Sequence, residues 1–114
     1  MQLDWHVMYE HTSMRSQQSK YVSLAETNAN GGDPVAMEFL ARRFFDGKGV
    51  GQSFQQSYYW STIALKNGVA YLTSLNQFAL RQLSEEEKIC VEEDLSAWSA
   101  LYPDTKNICT PPNA

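Results

Sequence analysis

The stretch GDPVAMEFLARRFFDGKGVGQSFQQSYYWSTIALKNG, residues 32–68, decides how this chain folds. From Ala36 the apolar residues fall at Ala36, Phe39, Leu40 and Phe44, the spacing of one face of a 3.6-residue helix. A second stripe, Phe54, Ser57, Tyr58, Ser61, Ala64 and Leu65, repeats that period, with Trp60 on its edge and small residues where a neighbouring helix can come close. Between the two patterns Gly47, Gly49 and Gly51 supply positive φ at little steric cost, and Gly47 is the expected stop of the first helix. Val50, the one apolar residue of the turn, is expected to tuck back into the hairpin. Asp33 is placed to cap the first helix, and Pro34 at its first position loses no hydrogen bond. A connection of roughly six to eight residues makes the two helices antiparallel neighbours.

Outward from this hairpin the pattern recurs. Gly32 and Gly68 lie 36 residues apart, and the same step takes Pro34 to Ala70 and Ala36 to Leu72. Counting back from Gly32, residues 18–29 take the place of a second helix in a preceding, truncated unit, with the stripe Tyr21, Leu24, Ala25 and Asn28. A shorter stripe, Leu3, Val7 and His11, precedes it. After Gly68, Leu72, Leu75, Ala79 and Leu83 predict a helix over 70–82. Ser84 followed by Glu87 is a capping box, with Glu85 and Glu86 at the positive end of the helix dipole. The last helix then carries Val91, Leu95, Trp98 and Tyr102, with Leu101 beside them, until Pro103 stops it.

Gly32, Ala36, Leu40, Ala41, Phe44, the Gly47-x-Gly49-Val50 turn, Trp60, Ala64 and Gly68 together resemble the Sel-like repeat, an αα-hairpin relative of the tetratricopeptide repeat. The resemblance covers one full repeat at 32–68, about a third of the chain. Asn76 and Gln77 stand where the family has leucine and a small residue, so the following copy is degenerate. The implied fold is all-α, a short stack of antiparallel αα-hairpins with a capping C-terminal helix. One domain is expected over 1–114, comprising N-terminal helices at 1–31, the core repeat at 32–68, a degenerate repeat and cap helix at 69–102, and a tail at 103–114.

Composition narrows the function. Apolar residues make up 43% and charged ones 19% of the 114 residues, ordinary for a globular chain. The net charge of −4 gives phosphate-backbone binding no electrostatic support, so no nucleic-acid partner is expected. No apolar run approaches the roughly 18 residues that cross a bilayer, so no membrane association is expected. The opening MQLDWHVMYEH lacks the basic and apolar regions of a signal peptide; a cytoplasmic start and a periplasmic protein whose signal has been removed both fit it.

No catalytic arrangement stands out. The GKG of 47–49 lacks the rest of a P-loop, and there is no CxxC or HExxH. His6 and His11 are five apart and do not share a helical face as metal ligands would. Glu86 and Glu87, or Glu92 and Glu93, are adjacent and point about 100° apart, unsuited to act as opposed acid and base. No enzyme activity, cofactor or metal is therefore expected. Cys90 and Cys109 allow one pairing. A tail folding back along the last helix returns roughly 18 Å, and seven extended residues reach roughly 23 Å. A Cys90–Cys109 disulfide and two unpaired thiols both remain open.

Arg42, Phe45 and Tyr59 fall off the buried stripes and are of residue types that anchor interfaces, while packing against the adjacent helix pair is the competing reading. Lys48 lies in the 46–53 loop, the candidate for insertion into a partner. Glu92 and Glu93, with Asp94, are expected on the solvent side of the last helix, where they suit a basic target. What the resemblance implies is a non-enzymatic protein–protein interaction module. A chain this short is better suited to plug one partner than to wrap it, as a small bacterial inhibitor or immunity protein does with a toxin or hydrolase that has a basic cleft. A general adaptor, or a scaffold pairing as a homodimer, is the alternative. A small metal- or thiol-dependent enzyme using Cys90, Cys109 and a histidine is the alternative of a different class.

Overall fold

The computed structural model describes the backbone of residues 15–98 and the side chains of residues 20–98. Five α-helices follow one another: α1 (Arg15–Asn30), α2 (Pro34–Asp46), α3 (Phe54–Lys66), α4 (Thr73–Arg81), entered through a 3-10 turn at Ala70–Leu72, and α5 (Glu85–Ala97). Among the described residues there is no strand, and the helices form an all-α stack.

The hairpin of α2 and α3 is built from local chemistry. The Asp33 side chain accepts the Val35 N–H at 3.0 Å, and Pro34 opens the helix. Gly47 ends α2 at φ 73°, its N–H donating to the Arg43 carbonyl at 2.7 Å. A side chain there meets a second obstacle, because an added Cβ lies 3.1 Å from Cβ of Gln52. The Ser53 N–H donates to the Phe44 carbonyl at 2.9 Å, and the Gln52 side chain donates to the Phe45 carbonyl at 3.0 Å, so the turn is tied to the last turn of α2. Val50 folds back against the core. Ser53 then caps α3 by accepting the Gln56 N–H at 3.1 Å.

α3 is the central element. It packs against α2, α4, the 3-10 turn and α5, while α1 packs against α2. Ser57 and Ser61 are fully buried, and their small side chains let neighbouring helices approach. The Ser57 hydroxyl donates to the Ala41 carbonyl at 2.8 Å across the α2–α3 seam. On the α4 side the Asn76 amide donates to the hydroxyls of Ser61 at 2.8 Å and Thr62 at 2.9 Å. Asn76 therefore joins α4 to α3 by hydrogen bonds where an apolar side chain would join them by contact alone.

The turns before α2 and before the 3-10 segment have the same hydrogen bonds. The Gly31 N–H donates to the carbonyls of Thr27 and Asn28, Gly32 to Ala29, and Asp33 to Asn28. Thirty-six residues on, Asn67 donates to Ile63 and Ala64, Gly68 to Leu65, and Val69 to Ala64. Gly32 (φ 100°) and Gly68 (φ 97°) share the left-handed conformation that closes both turns.

Several expectations are corrected. The buried side of α1 is Val22, Ala25 and Ala29, and Leu24 faces solvent; the helix is rotated so that alanines, which permit close approach, meet α2. The helix expected over 70–82 begins as a 3-10 turn, in which Leu72 is buried. α5 ends at Ala97, where Trp98 turns to an extended backbone (ψ 139°) and packs against the core. Leu101, Tyr102 and Pro103 lie outside the described residues, as do the stripe Leu3, Val7 and His11 and the tail. Asp94, assigned to solvent, is buried, because three residues after Val91 it shares that residue's inward side.

Trp60 is only 3% exposed and meets Tyr59 edge-to-face, with ring centroids 5.0 Å apart. Trp60→Ala is expected to cost about 3–5 kcal/mol in urea unfolding, by loss of burial and by the cavity left behind. A loss below about 1 kcal/mol would place the ring's energetic role outside the core.

Glu26 on α1 is partly buried, and loss of water pushes its carboxyl above its ordinary value of 4.5. A carboxyl raised in the folded state favours folding below its unfolded value, and that contribution disappears as pH rises through the folded value. Glu26→Gln should therefore raise the urea midpoint at about pH 7, and the gain should fade as pH drops through the raised folded value to the ordinary 4.5. A variant that is less stable at neutral pH would contradict this.

Candidate functional site

Two surfaces of different chemistry emerge from these helices. The first is the outer side of α5, EEEKICVEEDLSA, a helix with six acidic residues and one lysine, of which all the acidic residues but the buried Asp94 are exposed. This helix alone is more negative than the whole chain's net −4, so the remainder is close to neutral. Its start is built by the expected capping box: the Ser84 hydroxyl accepts the Glu87 N–H at 3.1 Å, and the Glu87 carboxylate accepts the Ser84 N–H at 2.8 Å. Glu85, Glu86 and Glu87 occupy the first turn, where the helix dipole favours negative charge. Val91 and Leu95 turn inward, and Glu92 and Glu93 turn out.

Between the carboxylates stands Ile89, 61% exposed. Lys88, Ile89, Glu92, Glu93 and Ser96 line a shallow groove of about 340 Å³. Lys88 leans to Glu85 at 3.3 Å, and Glu92 accepts the Tyr58 hydroxyl of α3 at 3.3 Å. Burial first, and then the negative charge of Glu92, push the Tyr58 hydroxyl above its ordinary range. Tyr58 thus remains a neutral donor that steadies one wall of the acidic side.

The second surface runs across α2 and the 71–81 segment. The Tyr71 hydroxyl donates to Oε1 of Glu38 at 2.6 Å, and Nε of Arg42 donates to Oε2 of the same carboxylate at 3.0 Å. Seven residues further along each partner, Phe45 and Phe78 meet with ring centroids 5.4 Å apart. Both rungs join residues 33 apart, so α2 and the 71–81 segment run parallel. Phe54 completes an aromatic triad at 5.6 Å from Phe45 and 5.9 Å from Phe78. Tyr71 (69%), Val35 (52%) and Phe78 (42%) remain open to solvent on this side.

The residues singled out from sequence do not form one site. Arg42 and Phe45 share the α2 surface, Lys48 is exposed in the 46–53 turn, and Glu92 and Glu93 are on α5. Tyr59 is a correction. It is 1% exposed and lies inside, because α3 has neighbours on several sides and buries a wider arc than one stripe. Its hydroxyl is pushed far above the usual range by burial and then by the nearby Asp94 carboxylate. Cys90 is a half-buried free thiol among the described residues, whereas Cys109, and with it the proposed bridge, lies outside them.

Sequence reasoning missed Ile89, Glu38, Tyr71 and Phe78. Tyr71 and Phe78 carry a legible signal, being seven apart and so on one helical face, but their partners on α2 become visible only in three dimensions. Among the described residues no group of His, Cys, Asp and Glu side chains has the arrangement of a metal site, and no helix is long and apolar enough to cross a membrane. His6 and His11 lie outside those residues.

The Tyr71–Glu38 bond has a spectroscopic consequence. Accepting from the hydroxyl, the Glu38 carboxylate holds the Tyr71 proton and raises its pKa above the ordinary 10.0; the carboxylate's charge adds to the effect. Removing the charge with Glu38→Gln should move one phenolate transition, followed by absorbance, back toward 10.0. An unchanged titration would show that the pair does not persist in solution.

Comparison of the chain with protein-family models, with curated proteins and with solved structures gives no match.

Proposed function

We propose that this chain is a non-enzymatic protein-binding module of the Sel-like kind, fitted to block one basic protein in the manner of an inhibitor or immunity protein. The observation that carries the reading is the concentration of negative charge on the outer side of α5 around the exposed Ile89. An apolar residue ringed by charge is the layout of an interface: burying it supplies affinity, and the surrounding field steers the partner and selects its sign. The complementary surface is a cleft lined by lysine and arginine with an apolar floor, as a secreted toxin or hydrolase acting on an anionic substrate presents. The turn hydrogen bonds that recur after 36 residues, and the parallel course of α2 and the 71–81 segment, support the Sel-like part of the reading.

The test is affinity capture with the purified chain, followed by a binding titration against the recovered protein. A single stoichiometric basic partner is expected, whose activity falls on binding and whose association slows as salt rises. Charge reversal by Glu92→Lys with Glu93→Lys should weaken binding at least about tenfold, equivalent to about 1.4 kcal/mol. Binding that ignores both substitutions and salt would sink the reading.

A further inference from the structure

The groove on α5 has a floor and a definite spacing as well as charge. Ile89, Glu92, Glu93 and Ser96 stand at i, i+3, i+4 and i+7, the four corners of the hole that one helix offers to a side chain of another. Ile89 supplies exposed apolar surface at one corner. Ser96 at the opposite corner is small, and its hydroxyl is turned back to donate to the Glu92 carbonyl at 3.0 Å. A longer side chain at 96 would fill part of the 340 Å³ opening. The carboxylate beside the floor is held in place. Oε1 of Glu92 accepts the Tyr58 hydroxyl at 3.3 Å, and Oε2 has no partner among the described residues. Lys88, the cation among the described residues that line the groove, pairs with Glu85 at 3.3 Å instead. The hole thus joins an apolar floor to a positioned carboxylate that no neighbouring lysine neutralises.

We propose that this hole takes one arginine carried on a helix of the basic partner. The proposal rests on the reading of α5 as the partner-binding side and adds which side chain and which element the partner contributes. A facing helix is the element whose side chains match a four-cornered hole of this spacing. Arginine matches both parts of the lining. Its methylenes and weakly hydrated, planar guanidinium can lie along Ile89 while an N–H at the rim donates to Oε2 of Glu92. A lysine ammonium holds its water more strongly, and a neutral apolar side chain would cover the Glu92 carboxylate without pairing it. The bond from Tyr58 orients that carboxylate in advance, so less side-chain freedom is lost on binding.

The probe is an alanine-based helical peptide with one central arginine flanked by two lysines, labelled at one end and titrated against the chain by fluorescence anisotropy at low salt. Versions with lysine or alanine at the central position are titrated beside it. The arginine peptide should bind at least about tenfold tighter than the alanine peptide, with lysine between them. Ser96→Leu changes no charge and favours the helix, so by filling the hole it should remove most of that preference while the alanine peptide binds as before. Glu92→Gln should remove the preference without filling anything. Circular dichroism checks that both variants remain helical; if Ser96→Leu does not, Glu92→Gln decides. Arginine that binds no tighter than lysine or alanine, a preference that survives either substitution in a folded chain, or no binding of the arginine peptide up to millimolar concentration overturns the proposal, even where a basic protein is captured. An arginine preference lost in both variants upholds the hole, even where capture recovers no partner and the inhibitor reading falls.

Discussion

The close approach of α2 and α3 is the constraint on which the rest of the structure depends. At the seam the Ser57 hydroxyl is fully buried and donates to the Ala41 carbonyl at 2.8 Å. A buried hydroxyl without a partner costs about 1–3 kcal/mol, so this bond decides whether serine is tolerable there. Around it Ala36, Leu40, Ala41, Phe44, Ile63 and Ala64 exclude water. α4 and α5 then lean on α3, and α1 leans on α2. Loosening that seam would leave the other helices without a common support.

The molecule separates its chemistry by helix. The core is mostly apolar, with hydroxyl and amide bonds at Ser57, Ser61 and Asn76 and the buried Asp94, and the excess negative charge is gathered on α5. α5 tolerates that load because its first turn places three glutamates at the positive end of the helix dipole, while Val91 and Leu95 hold it to the core. Charge so placed does little for stability, since exposed carboxylates interact weakly through water, but it creates a directional field. The α2 and α4 side instead gathers aromatic rings around the Glu38–Arg42 pair.

Legibility in the sequence followed the range of the interactions. The caps at Asp33, Ser84 and Gly47 were readable because each joins groups within four residues of one another. Tyr59 was misplaced for the opposite reason. A stripe argument assumes a helix with one buried side, and α3 is enclosed from several. Asp94 and Leu24 depend instead on how far α5 and α1 are rotated about their axes, which turns Asp94 in with Val91 and Leu24 out. Ser53 was passed over as a cap because the glycines before it dominate the reading of the turn, although it accepts the Gln56 N–H as a cap should.

By itself the sequence determined that this chain is helical, where most of its helices begin and end, and that its negative charge collects near residues 85–94. These properties follow from backbone sterics, capping and composition, all of which act within a few residues. Only the tertiary structure decided that Tyr71 reaches Glu38 and Phe78 reaches Phe45, and that Ile89 stays uncovered while Tyr59 does not. Those outcomes depend on helix rotation and crossing, which are set by how side chains from distant segments fill shared space. The 3.6-residue period alone does not specify them.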